Sequence, residues 1–108
     1  MANTFKLKTK ANVGITTQNV YVVPSATTTV VIGITLANTS GSGCIVGVGI
    51  TRASTDDVSL MKNIPIPQGS SFEFMSGNKV VLESTDTFTA ESDVNNSLDV
   101  ALTIMEIT

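Results

Sequence analysis

The chain has 108 residues, a net charge of −3 and no histidine; 42% of it is hydrophobic and 14% charged. That length points to one domain and is enough to bury well over half of the unfolded surface. The pattern excludes a nucleic-acid footprint, since no basic cluster exists, and removes the commonest general base and metal ligand.

From the N-terminus, Thr4–Lys8 reads as a short strand. Phe5 and Leu7 share one of its faces and are expected to point inward. Lys6, Lys8 and Lys10 alternate and share the other face. Residues 1–10 are therefore expected to form an N-terminal arm or edge strand. Its lysines either guard the edge against unwanted pairing or meet an acidic protein surface. Gly14 suggests a bend. Asn19–Val23 is a second strand, stopped by Pro24, which cannot donate to a ladder.

Thr28–Arg52 (TTVVIGITLANTSGSGCIVGVGITR) is two apolar β-branched runs around an Asn-Thr-Ser-Gly loop. It reads as a long-loop hairpin. Val30, Ile32, Ile34 and Leu36 share one face of the first run; Cys44, Val46, Val48 and Ile50 share one face of the second. Pairing the bulky faces requires even positions beside even positions, for instance Leu36 near Cys44 or Val46. The opposite face, with Gly33, Gly47 and Gly49, is thin. It is either a bulged region or a contact surface for another element or subunit. Cys44, on the bulky face, reads as a small buried hydrophobe.

Val58–Lys62 is another strand, and Pro65 and Pro67 force an extended, edge-like segment. The turn at Gln68-Gly69 leads to a strand carrying Phe72 and Phe74. Ser76-Gly77-Asn78 turns the chain into Lys79–Glu83, and a turn at Ser84-Thr85-Asp86 follows. Thr87–Glu91 places Phe88 and Ala90 inward, with Thr87, Thr89 and Glu91 outward. In the last strand, Ser97–Ile107, Leu98, Val100, Leu102 and Ile104 face in. About eight or nine strands recur roughly every 8–12 residues, with no helical period. The expected fold is all-β: a single antiparallel β-sandwich over residues 1–108, jelly-roll-like or Ig-like.

Chemistry is sparse. Asp93, Asn95, Ser97 and Asp99 alternate as calcium-loop ligands do, but Leu98 stands where the loop glycine belongs and Ile104 where the bidentate acid belongs. Asp56-Asp57 reads as a turn pair. Asn38-Thr39-Ser40 and Asn95-Asn96-Ser97 fit the glycosylation pattern. Tyr21 is the one tyrosine, too little for a sugar-stacking platform. No catalytic set can be assembled, so neither enzyme nor cofactor is expected. One cysteine allows no internal disulfide, which fits a reducing place of synthesis. MANTFKLK lacks the apolar centre of a signal peptide, and no apolar run is long enough to cross a membrane as a helix.

Four patterns have a family likeness: Ile66-Pro67-Gln68-Gly69-Ser70, Gly77–Leu82, Asp86, and the ending Leu98–Thr108. With them, the chain from TTTVVIGITLAN onward resembles small virion structural proteins of tailed bacteriophages, especially those of marine cyanobacteria. The resemblance implies a phage structural β-domain, assembled in the bacterial cytoplasm and carried on the virion. It carries no catalytic residue over. Its leading implication is a capsid decoration (cement) protein, a homo-oligomer such as a trimer, bound to the major capsid protein. A neck, tail or fibre-adaptor position, with neck or tail proteins as partners, stands beside it, as does a host-surface glycan-binding module. Neither nucleic acid nor membrane is an expected partner. The expected contact residues are Phe5, Lys6, Lys8 and Lys10 in the arm, Asn38, Ser40 and Ser42 in the loop, and Pro65, Pro67 and Gln68 in the proline segment.

Overall fold

The computed structural model of the chain describes residues 3–52, 57–74 and 79–108. The expected turns at 53–56 and 76–78, and the side chain of Phe74, lie outside the described residues. Nine strands are present among the described residues: β1 (Asn3–Val13), β2 (Gln18–Val22), β3 (Thr28–Asn38), β4 (Cys44–Thr51), β5 (Val58–Ile66), β6 (Ser71–Phe74), β7 (Val80–Leu82), β8 (Thr87–Ser92) and β9 (Leu98–Ile107).

The first sheet runs β1-β9-β3-β6, with β7 also pairing β3; the second runs β2-β8-β4-β5. Every pairing is antiparallel. First pairs with last, second with second-last, and so inward to β4 with β5, the pairs alternating between the sheets. This is jelly-roll order, a long antiparallel ribbon rolled into two layers, and it decides between the two sandwich types expected.

Alternation explains which side chains the sandwich buries. Leu98, Val100, Leu102 and Ile104 of β9 are all at most 2% exposed and meet Phe88, Val46, Leu36 and Ile34 in the same core. Burying a side chain of this size contributes about 1.5–3 kcal/mol. Thr87, Thr89 and Glu91 stand on the outer side of β8, where Thr89 is nevertheless buried and donates to the Gly49 carbonyl at 3.3 Å.

The expected hairpin between Thr28 and Arg52 is not formed. β3 pairs with β9, β6 and β7, and β4 pairs with β8 and β5, so the two runs lie in different sheets. The loop from Thr39 to Gly43 crosses between layers, and Leu36 and Cys44 bring their faces to one core without being ladder neighbours. The parity of β3 also changes part-way. A register shift between Val31 and Gly33 inserts Ile32 as an extra residue, so Thr29 and Val31 are buried before it and Ile34 and Leu36 after it, while Val30 and Ile32 are only half-buried.

Gly33 therefore belongs to the first sheet, and Gly47 and Gly49 to the second. Gly49 has a local cause: a Cβ there would lie 2.7 Å from the Val58 carbonyl oxygen, where β4 and β5 shift register. The proline segment behaves as expected. Pro65 lies inside β5, the edge strand of the second sheet, where a missing donor costs least.

Candidate functional site

Three of the exposed large apolar side chains, Phe5, Leu7 and Val81, stand on β1 and the sheet it edges; Ile15, Val22, Ile45 and Val58 are exposed elsewhere. Among the described residues β1 pairs with β9 alone. Its register places Lys6 opposite Ile104, Lys8 opposite Leu102 and Lys10 opposite Val100. Partners in register share a face, so the lysines point to the inner side of the sheet. Phe5 and Leu7 point outward, 69% and 65% exposed. This corrects the expectation that Phe5 faces in. The reason is β9: its apolar set must enter the core, and the register it imposes on β1 then inverts the arm.

Glu106 gives the inversion its chemistry. It continues the inward parity of β9 and is buried. Lys6 Nζ lies 2.8 Å from one of its carboxylate oxygens. Tyr21 Oη donates to the other at 2.5 Å and lies 2.9 Å from Thr29 Oγ1. Lys8 Nζ stands 5.8 Å from the centre of the Tyr21 ring, within cation–π range. One buried carboxylate thus joins β1, β9 and β3 of the first sheet to β2 of the second. The Lys6 ammonium, then the Tyr21 hydroxyl, hold Glu106 below the usual carboxylate range. Burial, with Glu106 beside it, pushes the Tyr21 phenol up to about 12. A buried charge is tolerated when paired and hydrogen-bonded, and among the described residues no buried side-chain nitrogen or oxygen lacks a partner.

On the outside of the same sheet, Phe5, Met105, Val30 and Val81 stand in ladder register across four strands. Ile107 and Leu7 flank that row on β9 and β1. Val81 is 59% exposed, and Met105, Val30 and Ile107 are half-buried. Among the described ladder residues of this face, charge is confined to Glu73 and Asp99, both toward the opposite end of the sheet.

The other expected contact residues meet at that opposite end. Asn38 is buried; its Nδ2 donates to the carbonyls of Ser42 and Ile66, at 2.8 and 2.9 Å. Its Oδ1 accepts from the amide and hydroxyl of Ser40. Asn38, Ser40 and Ser42 therefore brace the crossing loop against β5, and Asn38 is not free to meet a partner. Pro65, Pro67 and Gln68 are exposed beside them. The loop and the Phe5 end lie at opposite ends of β9, since Asn38 pairs with Leu98 and Phe5 with Met105.

The alternating set after Ser92 is divided among structural tasks. The Asp93 carboxylate accepts from the Ile45 amide at 2.8 Å and that of Asp99 from the Asn12 amide at 3.0 Å; Ser97 is buried and donates to the Val94 carbonyl at 2.7 Å. Arg52 was not singled out by sequence reasoning. It bridges Glu83 and the buried Asp86, tying the end of β4 to the turn before β8. Cys44 is 3% exposed, inside the core as expected. Tyr21, also buried, is removed from the surface.

No protein-family model matches the chain, and neither does any curated protein. A solved structure described as "Bacillus endospore appendages form a novel family of disulfide-linked pili" is similar over 99% of this chain and 87% of its own, with TM-score 0.60 and 14% identity. The two share a fold. At that identity the likeness is one of architecture alone. The resemblance to tailed-phage virion proteins expected from the sequence gains no support from a family model or a curated protein.

Proposed function

We propose that the chain is a structural subunit that works by packing its faces and edges against other proteins. The observation that carries this reading is the inverted edge strand, which spends its lysines internally and turns Phe5 and Leu7 into solvent. Apolar surface gathered in one patch marks an interaction site. Among the described residues the buried carboxylates, Glu106 and Asp86, are both consumed in structural pairs, which supports a non-enzymatic role. The shared architecture with a pilus protein fits an assembly-forming subunit. Cys44 is the sole cysteine and is buried, so the assembly proposed here is non-covalent.

Within that class, the sequence likeness to tailed-phage proteins favours a capsid decoration protein on the virion, with a neck, tail or fibre-adaptor position as the neighbouring possibility. The glycan-binding alternative loses support, because Tyr21 is engaged with Glu106 and Thr29. Immunogold electron microscopy of phage particles with an antibody against this chain tests the reading. Label spread regularly over the capsid supports decoration. Label at one vertex or along the tail supports the neck or tail position. Particles free of label overturn the virion assignment.

A further inference from the structure

We propose that the outer face of the first sheet, centred on Phe5, Met105, Val30 and Val81, is where a second copy of this chain docks. The inference rests on the assembly reading above and names its surface. Three observations carry it.

The first is the register itself. A one-residue slip of β1 would bury Phe5 and Leu7 and expose the lysines, yet the register pairs Lys6 with Glu106 and leaves 69% of Phe5 in water. In the isolated chain that exposure is unfavourable, and a covering surface relieves it.

The second is charge. A chain of net charge −3 repels its copies wherever acids gather, but Glu73 and Asp99 lie away from the apolar row, and Glu83, two residues from Val81, is paired with Arg52. On β1 the lysines are turned inward, while Lys79 stays exposed two residues from Val81. The row is therefore compatible with a copy of itself, whereas a strongly charged partner finds little here to pair with.

The third is size. With strands roughly 4.8 Å apart and a rise of about 3.3 Å per residue, β1, β9 and β3, of 10 or 11 residues each, together with the short β6 and β7 beside β3, present roughly 600 Å². Two copies packed face to face bury about 1,200 Å², the lower bound of a specific interface. A two-fold axis parallel to the strands, between β9 and β3, sets Phe5 of one copy against Val81 of the other and Met105 against Val30. Each residue then meets its counterpart's partner, as a closed symmetric contact requires.

Sedimentation equilibrium of the full chain tests this, on the wild type and on Phe5→Lys, Val81→Lys and, as a control on the other sheet, Val58→Lys, which is also exposed. Circular dichroism and thermal melting verify that each variant is folded. The wild type is expected to self-associate reversibly. Phe5→Lys and Val81→Lys should each raise the dissociation constant about tenfold or more, and Val58→Lys should leave it unchanged. Self-association that all three variants weaken equally, or that none weakens, overturns this face while leaving the assembly reading in place. A wild type that stays monomeric up to about millimolar concentration, where affinity falls to roughly the weakest useful range, overturns the second copy as occupant; particle labelling then judges the assembly reading separately.

Discussion

β9 and β1 are hydrogen-bonded neighbours that obey opposite rules. On β9 Leu98, Val100, Leu102 and Ile104 enter the core and Thr103 faces water. On β1 the lysines enter while Phe5 and Leu7 leave, and only beyond the register shift does Val13 return to the core. β9 sits inside the sheet, between two strands, and its inner face meets the second layer; β1 is an edge whose inner face reaches a carboxylate and a phenol. The difference teaches that a strand's pattern is read against what lies opposite each of its faces. At an edge, lysines turned inward toward Glu106 guard against stray pairing and free the other face for contact.

The largest expected effect separates the two strands. Leu102→Ala on β9 removes a side chain with no exposed surface and should cost about 2–5 kcal/mol in chemical denaturation. Leu7→Ala on β1 should fall within about 0.5 kcal/mol, as an exposed position does. Equal costs would erase the distinction between the strands.

Next comes the charge that ties them. Glu106→Gln leaves Lys6 without its carboxylate and should cost about 1–3 kcal/mol. Glu106 lies below its ordinary value of 4.5, so its contribution is complete above that pH. It is lost as pH falls through the lower, folded-state value. Urea denaturation between neutral and acid pH should show this loss in the wild type and a flatter acid limb in Glu106→Gln.

Tyr21→Phe keeps the ring beneath Lys8 and removes one donor, an effect of about 1 kcal/mol. In the folded wild type, absorbance titration of Tyr21 should move from near 10 to about 12, chiefly through burial and then through Glu106; a midpoint near 10 would deny the buried placement of the phenol beside Glu106. The smallest effect is expected of Lys10→Ala, within about 0.5 kcal/mol, because among the described residues Lys10 forms no ion pair.

Much of this architecture is legible in the chain. The two-residue period of Leu98–Ile104 marks β9, the prolines mark β5 as an edge, and the spacing of turns marks a sandwich. The partner of each strand is not legible, because period two reports a face and not a neighbour. β3 and β4 show how: their bulky faces look toward one core whether the strands lie side by side or in opposite layers, and the loop between them suits either. The extra residue Ile32 is invisible for the same reason, since an apolar residue fits either parity. Glu106 did leave a signal. The inward set Leu98, Val100, Leu102 and Ile104 continues to position 106, and an acid there calls for a cation on the strand alongside. Lys6, Lys8 and Lys10, alternating at the other end of the chain, answer it. The outward turn of Phe5 follows from that match, whereas hydropathy alone points it inward.

The central claim is that β1 turns its apolar side chains outward and that a second copy covers them. The labelling rate of Leu7→Cys with a soluble thiol reagent, across a range of protein concentrations, tests both halves at once, with buried Cys44 of the parent chain as background. The account predicts fast labelling in dilute protein, slowing steeply as the chain is concentrated. Slow labelling at every concentration would place the side chain inside the sandwich, and fast labelling at every concentration would leave the face bare; either result contradicts the account.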